Sequence, residues 1–139
     1  MMPIFHCTFT SPFQAEAVAL ETMEGEQLVS YFLNYPWADW LQKMNNSKEE
    51  DIHFSPTLNF ENKQTKQKLM VSGVEENGRI FFYVFYQRPK TVSQFFGLRQ
   101  KVKEDYTTEV HDQSKEQAAL LIEAFSKGNE VFLEKEINR

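Results

Sequence analysis

Between Ile4 and Phe9 apolar and polar residues alternate, with Phe5, Cys7 and Phe9 on one side and His6 and Thr8 on the other. That period of two predicts a short strand, because successive strand side chains point to opposite faces. Ser11-Pro12-Phe13-Gln14 then reads as a helix start: a serine cap, a proline at the first helical position and a glutamine three residues on to close a capping box. Phe13, Ala17 and Leu20 would share one face and Gly25 marks the break, although residues 15–21, AEAVALE, also alternate as a strand does. Leu28, Tyr31, Phe32 and Tyr35, and then Trp37, Trp40, Leu41 and Met44, recur at i, i+3, i+4, i+7 and predict two helical stripes. Pro36 lies between them, so either one helix kinks there or a second begins.

The period changes after the polar stretch MNNSKEED at 44–51. Phe54, Leu58 and Phe60 fall in phase, Lys66 to Val74 alternates, and Ile80 to Gln87 is a dense aromatic run. Glu76-Asn77-Gly78 supplies the tight turn between the last two, since Asn-Gly tolerates positive φ angles. Three strands with short connections predict an antiparallel meander. In the last of them Phe81, Tyr83 and Phe85 point one way and Ile80, Phe82, Val84 and Tyr86 the other. Both faces are apolar, so this strand is expected to be central and covered on both sides. A helix of the same chain is the first expectation for the second cover, and a second protomer or a ligand the alternatives. Pro89, which cannot donate to a sheet ladder, is expected to end the strand.

Tyr106 to His111 reads as a further strand. Ser114-Lys115-Glu116-Gln117 is a second capping box, Ala118, Leu121, Ile122 and Phe125 form a buried stripe, and Gly128 stands at a helix end. Residues 129–137 could add one short helix. The whole, 1–139, is expected to form one α+β domain: an antiparallel sheet of four to five strands with helices mainly on one face.

Thirteen phenylalanines are many for this length and point to a Phe-heavy core, or else to a Phe-lined apolar cavity holding a small molecule. Cys7 is the sole cysteine, which excludes an intrachain disulfide and suits a reducing compartment. The start MMPIFHCTFT has neither a positive region nor an apolar run of signal-peptide type, and no segment reaches the roughly 18 apolar residues of a membrane span. The expectation is a cytoplasmic protein.

The net charge of −5 conceals a segregation. Residues 1–61 carry nine acids against two bases, 62–103 two acids against nine bases, and 104–139 nine acids against four bases. From Gln87 to Lys103 there are five bases, Arg88, Lys90, Arg99, Lys101 and Lys103, and no acid, with Phe95 and Phe96 among them. The simplest reading is a solvated connection whose phenylalanines tuck under the sheet. The functional reading is a docking element with apolar anchors and a cationic rim, carried by Arg88, Lys90, Phe95, Phe96 and Arg99 and engaging a protein with an acidic surface. Self-association is the second partner option.

Other chemistry is thinly supported. No phosphate-binding glycine loop, nucleophile elbow or paired-histidine zinc motif occurs, so no cofactor, metal or catalytic residue is assigned. His6, His53 and His111 are far apart in sequence. Asp51, Glu61 and Lys63 loosely echo the carboxylates and lysine of metal-dependent nucleases. Arg79, Phe81, Tyr83, Val84 and Tyr86 fall in phase with an RNA-recognition strand, but Ile80 and Phe82 replace its glycine and small residue, and the acidic net charge opposes phosphate attraction. A non-enzymatic binding protein is therefore the leading expectation. Its layout and charge are like those of secretion-chaperone-like and toxin-immunity-like proteins, a likeness that fixes no function.

Overall fold

The computed structural model describes residues 3–14, 16–52, 55–94, 97 and 99–138. Its strands are β1 (Ile4–Thr10), β2 (Val18–Ala19), β3 (Met23–Glu24), β4 (Thr57–Asn62), β5 (Gln67–Glu76), β6 (Arg79–Gln94) and β7 (Arg99–Gln113). Its helices are α1 (Gly25–Asn34), α2 (Trp37–Asn45), α3 (Lys115–Ser126) and α4 (Glu130–Glu136), with a short 3-10 turn at Glu49–Asp51. The strands form one antiparallel sheet in the order β2-β1-β4-β5-β6-β7, with β3 also paired to β1. The α+β class stands, with seven strands in place of four to five and a meander of four, β4 to β7, in place of three.

The register explains where the core lies. Phe9, Leu58, Val71, Val84 and Val110 form one cross-strand row, and Cys7, Phe60, Leu69, Tyr86 and Thr108 the next. Except for the half-buried Val110, these side chains are buried, and together with Leu28, Phe32, Trp37, Leu121, Ile122, Phe125 and Leu133 of the helices they fill the space between sheet and helices. Rings pack on rings there: Phe32 stands edge-on to Phe82 with centroids 4.9 Å apart, and Trp37 to Phe82 at 5.2 Å. Trp37 is held in turn by its indole Nε1–H, which donates to the Phe32 carbonyl at 3.1 Å. Gly73 makes room for it, since a Cβ there would come within 2.7 Å of Trp37 Cε3. The turn at Asn77-Gly78 has both residues at positive φ, 53° and 78°, as the sequence predicts.

Three expectations need correction. The described residues between 11 and 21 form no helix: the Ser11 hydroxyl accepts the Phe13 N–H at 3.3 Å in a local turn, and Val18 and Ala19 pair with Phe9 and Thr8. Of AEAVALE, Val18 and Ala19 take up strand pairing, because the edge of β1 offers them a ladder. Helix α1 begins at Gly25, where a break was predicted, and Gln27 accepts the Glu24 N–H at 2.9 Å as its capping contact. Pro36 does start a second helix. Finally, β6 does not end at Pro89. The register slips between Arg88↔Tyr106 and Lys90↔Lys103, so β7 spends one residue more than β6 at this point and Pro89 sits in the bulge, where its missing N–H breaks no regular pair.

Candidate docking surface

The bulge divides β6 into two parts. Up to Gln87 it is flanked by β5 and β7, the last β5 pair being Lys68↔Gln87. Beyond that only β7 accompanies it, with pairs running from Lys90↔Lys103 to Gln94↔Arg99. This two-stranded ribbon extends past the sheet by roughly 20 Å, six residues at about 3.3 Å each. Its β7 strand is exposed from Arg99 to Asp105. Arg99, Lys101 and Lys103 are alternate residues of β7 and share one side, and Lys90 is the direct partner of Lys103. Two lysines placed opposite each other repel, and among the described residues Arg99, Lys101 and Lys103 make no ion pair. Phe95 and Phe96, between the two strands in sequence, lie outside the described residues.

Arg88 has a different place from the one sequence suggests. It is 3% exposed and lies on the helix side of the sheet. Its Nε and Nη2 donate to both carboxylate oxygens of Glu134 on α4 at 3.1 and 2.7 Å, and Nη1 donates to the Tyr86 carbonyl at 2.8 Å and the Thr108 hydroxyl at 2.7 Å. The guanidinium also lies over the rings of Tyr86 and Tyr106, 4.3 and 4.8 Å from their centroids. The Thr108 hydroxyl in turn donates to the Ile137 carbonyl at 2.7 Å, closing the link between strand and helix. Arg88 is thus a bolt at the base of the ribbon, with four of its five N–H donors already bonded inside the fold. Lys90 shares Glu134 at 3.5 Å and faces Tyr106 at 4.9 Å, yet its side chain keeps 42% exposure. Burial pushes the Glu134 carboxyl up, but the hydrogen bonds and charge of Arg88, with help from Lys90, outweigh it and hold the group below the usual carboxylate range. The signal that could have placed Arg88 was parity: it continues the inward series Phe82, Val84, Tyr86.

The remaining candidates do not converge. His6 and Cys7 point to opposite faces, and the buried Cys7 thiol is pushed up to about 11 by burial. His111 stacks on Tyr83 with centroids 4.4 Å apart and contacts Glu109 at 2.9 Å, while His53 lies outside the described residues. Asp51 is exposed in the 3-10 turn and Glu61 sits on β4 opposite His6 and Lys68. Among the described residues no three His, Cys, Asp or Glu side chains are grouped to hold a metal ion. Phe5, Phe9, Phe32, Phe60, Phe82 and Phe125 are buried in the core, and Phe82 also reaches a concavity of about 270 Å³ beside Tyr35, Trp37 and Ile80. An open groove of about 1140 Å³ lies between the β2–β3 segment and α1, lined by Leu20, Met23, Tyr31 and Tyr35 with Glu21 and Glu26 and without phenylalanine.

The second face of the sheet departs from expectation as well. All helix-packed strand residues lie on the first face, and among the described residues no helix covers Phe81, Tyr83 and Phe85. They are half-buried by their cross-strand neighbours Val74, Ser72 and Met70. No described helix is long and apolar enough to cross a membrane. Neither a protein-family model, nor a curated protein, nor a solved structure matches the chain.

Proposed function

We propose that this is a non-enzymatic binding protein whose ribbon docks an acidic surface of another protein. One observation carries the reading: four cations, Lys90, Arg99, Lys101 and Lys103, stand on a two-stranded projection of a chain that is otherwise acidic. Lys90 shares Glu134, but Arg99, Lys101 and Lys103 make no ion pair among the described residues and raise the local self-repulsion, whereas an approaching carboxylate-rich surface would relieve it and be steered toward the ribbon. The contact set is then those four residues, with Phe95 and Phe96 the apolar anchors that the sequence supplies between them, and Arg88 the residue that braces them.

The test is fluorescence anisotropy of a labelled Asp/Glu-rich peptide against the wild-type protein and the triple variant Arg99→Glu/Lys101→Glu/Lys103→Glu. Wild type should bind in low salt and weaken as the Debye length shrinks to about 8 Å at physiological ionic strength, and the variant should lose at least about tenfold. Equal binding by the two proteins refutes the reading. Tighter binding of a single-stranded RNA of the same length than of the peptide would replace the protein partner with a nucleic acid.

A further inference from the structure

The groove between the β2–β3 segment and α1 is opposite to the ribbon in sign. Glu21 and Glu26 stand exposed on it, beside Leu20, Met23 and the half-buried rings of Tyr31 and Tyr35, whose centroids are 5.5 Å apart. No lysine, arginine or histidine lines it, and among the described residues neither glutamate makes an ion pair. Carboxylates next to aromatic rings suit a side chain with an alkyl stem and a cationic head, and they repel an anion. The length suits an extended strand. Along α1 the groove runs from Glu26 to Asn34, about 12 Å at about 1.5 Å per residue. Arg99 to Lys103 spans about 13 Å at about 3.3 Å per residue. A copy's own ribbon is badly placed to fill the groove: β1, β4 and β5 stand between β2 and β6, about 19 Å in all, and the ribbon runs on along the strand direction.

We propose that this groove receives the ribbon of a second copy of the chain, a step that rests on reading the ribbon as the docking element and names the acidic surface it meets. Arg99, Lys101 and Lys103 lie against Glu21 and Glu26, with their alkyl stems over Tyr31 and Tyr35. The charge segregation of the chain then has a use. Residues 1–61, with nine acids against two bases, supply the groove, and residues 62–103, with nine bases against two acids, supply most of the ribbon. Because the contact joins two unlike patches, each copy carries one of each. Two copies close into a reciprocal pair where both contacts form at once, and extend into longer assemblies where they do not.

Sedimentation equilibrium in low salt is the test. The mass of the wild-type protein should rise above 16.4 kDa with concentration and fall back as salt shortens the Debye length to about 8 Å. The ribbon variant Arg99→Glu/Lys101→Glu/Lys103→Glu and the groove variant Glu21→Gln/Glu26→Gln should each associate at least about tenfold more weakly. All five side chains are exposed, so far-ultraviolet circular dichroism should stay unchanged. An equimolar mixture of the two variants is the sharpest arm. The intact groove of one and the intact ribbon of the other leave a single matched contact, so the mixture should reach twice 16.4 kDa and no more. A wild-type monomer at the highest soluble concentration overturns the proposal, as does association that survives either variant, or a mixture that stays monomeric. Anisotropy with the Asp/Glu-rich peptide separates the two failures: a monomer that binds the peptide docks a different protein, and a monomer that does not has lost the docking reading too.

Discussion

Removing Glu134 should damage the fold more than removing the arginine it holds. In Glu134→Ala the Arg88 guanidinium stays 3% exposed, keeps its bonds to Tyr86 and Thr108, and loses its only carboxylate. Breaking a fully buried ion pair on one side costs about 3–5 kcal/mol, and the 40% exposure of the Glu134 side chain brings the expected cost down to about 2–3 kcal/mol. In Arg88→Met the space is refilled by a chain of similar length, Glu134 can be hydrated where it stands, and Thr108 still donates to Ile137, so about 1 kcal/mol is expected. Urea unfolding followed by the fluorescence of Trp37 and Trp40 measures both, and in thermal unfolding the alanine variant should melt about 5–10 °C lower. The pH dependence provides a second reading. The Glu134 carboxyl is depressed in the folded state, so its stabilisation is complete above the unfolded carboxylate pKa of about 4.3 and is lost as pH falls through the lower folded value. Glu134→Gln should therefore flatten the acid limb of the stability curve. If Arg88→Met proves the costlier change, or if both fall within about 0.5 kcal/mol of wild type, Arg88 is not the bolt described here.

Gly73→Ala should cost about 1–3 kcal/mol in the same urea assay, since the new methyl would meet the buried Trp37 ring at 2.7 Å; a neutral result would mean that the ring can yield. Cys7, buried with its thiol raised to about 11, should resist a thiol-specific reagent near pH 8 until denaturant is added, and rapid native labelling would contradict its place in the core. Lys103→Glu replaces a like-charge pair with an opposite one across the ribbon and should raise the unfolding midpoint; a fall would show that Lys90 and Lys103 do not face each other.

Much of the fold was legible because local chemistry and burial agreed. The capping box at Ser114 and Gln117, the Asn77-Gly78 turn and the inward parity of Phe82, Val84 and Tyr86 all specify what the structure contains. Residues 11–21 misled because Ser11-Pro12 offers helix-start chemistry to a segment that lacks a helix partner but has a strand edge beside it. Pro89 misled for a related reason: a proline forbids a regular ladder position, yet a bulge supplies an irregular one, and only the pairing register reveals it. The same register turned a presumed connection into a ribbon and separated its cations into two roles. Arg88 continues the buried parity and meets a carboxylate 46 residues later in the chain, a distance no local pattern spans. Lys90, Arg99, Lys101 and Lys103 remain toward solvent.

Amide hydrogen exchange of the wild-type protein with and without the acidic peptide tests the role of the ribbon most directly. Added protection should be confined to residues 90–94 and 99–103 and should vanish in the triple charge reversal. Protection centred on the groove beside α1, or on the open face around Phe85, with the ribbon unchanged, would contradict the account.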